Sequence, residues 1–156
     1  MSKFKNPITD EVLSKVSEFI PYWNEYMDEL KAEGEENNRI KGEDFSCLKN
    51  FIFAKVIDKE QTVLQKTFAA IESIAESDKE EYYQDILYFF ENITNATSHA
   101  DSRVRFDLIA IYLGPKSIQA CKELDEYWGS KTPGIDNISY CNEHYLKNRD
   151  MLWLAS

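Results

Sequence analysis

Apolar residues recur along this chain at three- and four-residue intervals, and each run ends at glycine, proline or a group of short polar residues. Val12, Leu13, Val16, Phe19 and Ile20 form the first such stripe, a spacing that turns one face of a helix toward a core. Thr9 or Asp10 is placed to cap it, and Glu11 adds favourable charge near its start. Pro21 then either kinks this helix or opens a second one, because proline is tolerated at the first helical position. Trp23, Tyr26, Met27 and Leu30 carry the next stripe across Tyr22 to Glu33, and Gly34 closes it.

Residues 35–42 (EENNRIKG) read as a loop. Asp44 or Ser46 can start the next helix, with Leu48, Phe51, Ile52 and Val56 inward. Leu64, Phe68, Ile71 and Ala75 mark another after Lys59. Ser77 or Asp78 caps a helix running to about Thr94, with Tyr82, Ile86, Phe89, Phe90 and Ile93 as its apolar positions. A short apolar helix is expected from Asp101 or Ser102 to Leu113, where Gly114-Pro115 is a stop signal. Ile118, Cys121, Leu124 and Trp128 form the following face, ended by Gly129. Residues 130–139, containing Pro133-Gly134, read as a loop, and a last helix is expected over about 140–152.

Period-two alternation is rare, and hairpin dipeptides between alternating runs are missing. The fold class is therefore all-α, with about seven or eight short helices in one compact domain spanning residues 1–156. The segments at 44–58, 60–76, 79–95, 102–113 and 116–128 can stack as a helical-repeat-like array or wrap into an irregular globule. No fixed period recurs, which makes the array the minority option.

Composition agrees with a self-sufficient core: 43% of the 156 residues are hydrophobic, including nine Phe, nine Tyr and three Trp. The three cysteines, Cys47, Cys121 and Cys141, are odd in number and widely spaced. They match neither a disulfide framework nor a paired metal motif, so reduced thiols in a cytoplasm are expected. The N-terminus lacks the apolar stretch of a signal peptide. Leu108 to Leu113, the longest strongly apolar segment, is far shorter than the ~20 residues of a membrane span. Without export, the glycosylation-type tripeptides beginning at Asn92, Asn95 and Asn137 are chance matches.

Catalytic chemistry is hard to assemble from this residue set. His99 and His144 are the only histidines, and the Cys141/His144 spacing has no second ligand pair to complete a metal site. Cys121 lies on the apolar stripe of an acidic helix and Cys47 reads as a small core residue, both poor settings for a thiolate. Hydrolase-elbow, P-loop and dinucleotide motifs are missing. Carboxylates do pair at helical spacing, as at Glu25/Glu29, Glu72/Glu76 and Glu81/Asp85. A Glu-x-x-His di-metal motif is ruled out because Ala96 and Cys141 stand three residues before the histidines. Such pairs read as solvated helix faces, so no catalytic residue, metal or cofactor is expected.

Charge distribution is what remains. Asp and Glu number 28 against 18 Lys and Arg, a net charge of −10. That excess disfavours nucleic acid and anionic membranes and favours a cationic partner. One acidic region comprises Glu25, Asp28, Glu29, Glu33, Glu35, Glu36, Glu43 and Asp44. A second comprises Glu72, Glu76, Asp78, Glu80, Glu81, Asp85 and Glu91, although acids near 78–81 also suit a helix N-terminus. Tyr82 and Tyr83 point about 100° apart on a helix, so one of them should stand exposed among carboxylates as an interface anchor. The expected partner-binding residues are Asp78, Glu80, Glu81, Tyr83 and Asp85, followed by Glu33, Glu35 and Glu36.

The stretch Tyr112 to Ile135, YLGPKSIQACKELDEYWGSKTPGI, covers about one-sixth of the chain. It resembles the tail of small bacterial helical proteins, some of them found in toxin–immunity contexts. In size, acidity and helical character the chain is similar to immunity proteins of contact-dependent and other polymorphic toxin systems. The resemblance implies a cytoplasmic, non-enzymatic protein. It would bind the basic C-terminal toxin domain of a secreted effector, often a nuclease, and occlude its active site or substrate-binding surface. It supplies no binding residue, since immunity proteins share no common signature. The alternatives are a helical adaptor or regulatory protein holding another protein or peptide, and, from the enzyme class, a helical carboxylate metalloenzyme.

Overall fold

Asparagine and proline, rather than the threonine or aspartate expected, start the first helix. The computed structural model describes residues 5–77, 79–99 and 102–135. In it, α1 (Pro7–Lys15) is capped by Asn6, whose Oδ1 accepts from the Thr9 backbone N–H at 3.3 Å. Pro7 sits where its missing N–H costs nothing. Val16 then turns extended, and a 3₁₀ turn at Ser17–Phe19 leads into α2 (Ile20–Ala32). This break lets Val16 and Phe19 both become fully buried. Pro21 therefore lies at the opening of a second helix and kinks nothing.

The connection, residues 33–40, is as long as the loop expected at 35–42 but lies two residues earlier, because α3 (Lys41–Ile57) begins three residues before Asp44. Asp44 is thus a first-turn residue with no exposed surface, not a cap. Its neighbours Phe45, Leu48, Phe51 and Ile52 continue the buried face at helical period. α4 (Gln61–Ala75) follows Lys59, which adopts a left-handed conformation with φ 58°. α5 (Glu80–Thr97) starts after Lys79, with no side-chain cap. α6 (Phe106–Ala110) has only five residues of the twelve expected over 102–113. Ser102 forms a local turn that precludes an earlier start, its hydroxyl donating to the Val104 carbonyl at 2.8 Å. α7 (Pro115–Trp128) ends at Gly129, in the left-handed region at φ 65°. The helix expected over 140–152 lies outside the described residues.

Seven α-helices and no strand occur among the described residues. α4 is central: it packs against α1, α3, α5 and α7. A repeat stack would leave each helix touching only its neighbours, so the irregular globule is the observed arrangement. One apolar cluster joins the helices, with Phe19, Phe45, Phe51, Phe68, Phe89, Phe90 and Phe106 among its fully buried side chains. Each such ring contributes roughly 1.5–3 kcal/mol relative to exposure. α2 reaches this cluster only through half-buried rings: Tyr22 meets Phe51 edge-on at 5.1 Å, and Trp23 lies 6.0 Å from Phe19. That helix therefore rides on the body as an outer layer.

A buried carboxylate joins α4 to α7. Glu72 has no exposed surface, yet it accepts the Lys116 and Ser117 backbone N–H groups at 2.8 and 2.9 Å and the Ser117 hydroxyl at 2.8 Å. It satisfies amides that α7 leaves open at its N-terminus. A Cβ on Gly114 would lie 2.4 Å from the Glu72 carboxyl carbon. Gly114 is therefore more than a stop signal: its missing side chain is what admits Glu72. No described helix is long and apolar enough to cross a membrane.

Candidate functional site

On α2, one side carries Tyr22, Trp23, Tyr26 and Leu30, while Glu25, Glu29 and Glu33 follow one another at intervals of one turn. α3 lies alongside, and the two helices enclose an open groove of about 440 Å³. Its lining comprises Glu25, Glu29 and Glu33 from the α2 side, Glu43 from α3, and Tyr22, Tyr26, Leu30, Ser46, Cys47 and Asn50. Four carboxylates thus face one groove, with no lysine or arginine among its described lining residues. Glu25/Glu29 and Glu29/Glu33 are like charges at i and i+4, about 6 Å apart along the axis, an arrangement that weakens a helix.

Beside the groove, Asp44 is the hub of a buried polar network. Arg39 donates to its two oxygens, Nη2 to Oδ2 at 2.7 Å and Nε to Oδ1 at 3.4 Å. The Tyr26 hydroxyl donates to Oδ1 at 2.8 Å, and Asn6 Nδ2 donates to Oδ2 at 3.3 Å. The Arg39 guanidinium also stacks 4.9 Å from the centre of the Trp23 ring. Burial and then the Asp44 carboxylate raise the Tyr26 pKa, so the phenol remains a proton donor. This network ties the cap of α1, the groove wall on α2 and the first turn of α3 into one unit.

Cys47 is the one thiol among the described lining residues of the groove. Its thiol faces the Tyr22 carbonyl at 3.6 Å, and burial, followed by Asp44, Glu25 and Glu29, pushes its pKa up to about 12. Thiolate chemistry is disfavoured there. Cys121 is fully buried, and desolvation raises its pKa as well. No group of three or more His, Cys, Asp or Glu side chains among the described residues is placed to hold a metal ion. What the groove can do chemically is bind a cation by charge and by its tyrosine faces.

The expected binding residues separate into two places. Glu33 lines the groove, and Glu35 and Glu36 are exposed in the connection beyond it, Glu35 accepting from Asn38 Nδ2 at 3.2 Å. Glu80 and Glu81 are exposed in the first turn of α5, where Glu80 accepts from Gln84 at 2.9 Å. Asp78 lies outside the described residues. Asp85 corrects the expectation of a docking carboxylate: it is buried and paired with Lys41 at 2.7 Å, joining α5 to the start of α3. Tyr82 and Tyr83 are both half-buried, so neither is the exposed anchor expected. Tyr82 lies under the Lys79 ammonium, and burial together with Glu123 raises the Tyr83 pKa.

The second acidic region therefore does not form one face. Glu72 and Asp85 turn inward, Glu91 accepts from the Trp128 indole at 3.2 Å, and Glu80 shares a small cleft with Lys79 and Lys116. The first region does converge, through Glu25, Glu29 and Glu43, which were not among the chosen binding residues. The i, i+4, i+8 spacing of 25, 29 and 33 was the available signal. Comparison of the chain with protein-family models, with curated proteins and with solved structures gives no match.

Proposed function

We propose that this is an immunity-type protein, acting in the cytoplasm, that neutralises a basic toxin domain by stoichiometric binding. The reading rests on the α2–α3 groove, where four carboxylates gather with no cation among the described lining residues. In this reading the carboxylates stand in for the phosphates of a nuclease's substrate. Tyr22, Tyr26 and Leu30 supply contact that excludes water, and the surrounding negative charge speeds encounter. Binding occludes the toxin's active site or substrate-binding surface, and no reaction is performed on it.

The test is protection in cells and inhibition in solution. If the neighbouring reading frame encodes a basic toxin domain, co-expression with it should restore growth, and equimolar protein should abolish that domain's activity. The triple variant Glu25→Gln/Glu29→Gln/Glu33→Gln should lose both while remaining helical. A tight complex in which the partner stays fully active would replace this reading with the adaptor one. Intact protection by the triple variant would show that the groove is not the inhibitory surface.

A further inference from the structure

Arg39 lies in the connection that closes the Glu33/Glu43 end of the groove, four residues before Glu43. A free guanidinium on this connection would neutralise a nearby carboxylate. Instead, the guanidinium is held by the bidentate contact to Asp44 and the stack on Trp23, and Asp10 of α1 is a further anion acting on it. Arg39 does not line the groove, whereas Tyr26, held by the same carboxylate, does. Asp44 itself has no exposed surface, so it contacts no ligand.

We propose that Asp44 is a positioning residue. It sequesters Arg39 and orients Tyr26, keeping the groove open and anionic for a lysine- or arginine-bearing segment of a protein partner. This inference rests on the reading of the groove as the binding surface. The axial repeat of Glu25, Glu29 and Glu33, about 6 Å per step, matches cations one turn apart on a helix or two residues apart on a strand. A bidentate arginine–carboxylate pair in a buried site is geometrically demanding, and lysine does not reproduce it. Asn6 and Tyr26 satisfy further sites on the same carboxylate, leaving it fixed from three directions.

The experiment uses the full chain and an octalysine peptide, titrated at several salt concentrations. Glu29→Gln/Glu33→Gln should weaken the peptide more than Glu80→Gln/Glu81→Gln; equal losses would defeat the groove reading itself and not this inference specifically. With the groove established, Asp44→Asn should lower affinity about fivefold and flatten its salt dependence, as expected for one released positive charge nearby. Asp44→Asn/Arg39→Gln should recover wild-type affinity within about twofold, which a purely structural role of Asp44 does not predict. Wild-type binding by Asp44→Asn, or no recovery in the double variant, would overturn the proposal. If Asp44→Asn fails to fold, the wild type decides. Its Arg39 Nε–H should exchange with solvent at least about tenfold more slowly than that of exposed Arg103, and stay so in the peptide complex. Equal exchange rates would overturn it.

Discussion

Glu72 and Gly114 show how one side chain and one missing side chain set the seating of a helix. The carboxylate reaches the open amides of α7 only because nothing occupies the Cβ position of residue 114. Gly114→Ala should therefore destabilise the fold by about 1–3 kcal/mol, as overpacking does, measured as a lowered urea midpoint with unchanged slope. A wild-type midpoint would mean that Glu72 can withdraw at no cost. Burial raises the Glu72 pKa, while Ser117 and Lys116 partly offset this by donating to the carboxylate. The folded state thus holds this proton to higher pH than the unfolded chain does. The stability so gained is full below the unfolded pKa and is lost as pH rises through the folded one. The stability difference between wild type and Glu72→Gln should accordingly favour wild type more at pH 5 than at pH 7.5. A difference that moves the opposite way would contradict a desolvated carboxylate.

At the scale of elements, α2 sets helix stability against binding. Its like-charge steps weaken it, and it meets the body through half-buried rings, one buried leucine (Leu30) and the Tyr26–Asp44 hydrogen bond rather than a fully enclosed stripe. Glu29→Lys places a cation one turn after Glu25 and one turn before Glu33, the favourable order relative to the first. The thermal midpoint should hold or rise slightly, while partner binding and protection fall sharply. Joint loss of stability and binding would indicate that Glu29 has a structural part. Local spacing made most of these helices legible. Leu64, Phe68, Ile71 and Ala75 fall on the buried face of α4, and Gly129 ends α7 as expected. Helix starts were less so: Lys41 and Gly42 carry no capping signal, and Asn6 takes the capping role assigned to Thr9 or Asp10. Burial of Asp85 and Glu72 was not legible either, because each owes its inward direction to a partner 44 or 45 residues away. The acidic groove was half legible. The ladder on α2 is local, but Glu43 joins it only through the pairing of α2 with α3.

At the scale of the whole molecule, a net charge of −10 acts on approach before any contact forms. Exposed carboxylates outside the groove and carboxylates within it should therefore affect different rate constants. Glu80 and Glu81, exposed on α5 and absent from the groove lining, add to the long-range field. Charge reversal at both, Glu80→Lys/Glu81→Lys, should slow association with a basic partner by several-fold and reduce its salt sensitivity, leaving dissociation nearly unchanged. Glu29→Gln/Glu33→Gln should do the reverse, chiefly raising dissociation, because those side chains line the contact surface itself. Stopped-flow association and surface-resonance dissociation, each measured from about 50 to 300 mM salt, separate the two effects across the range where the Debye length contracts below ~10 Å. A dissociation effect as large for the α5 pair as for the α2 pair would move the interface onto α5. It would then have to reach the binding partner past the cations that share that cleft, Lys79 and Lys116.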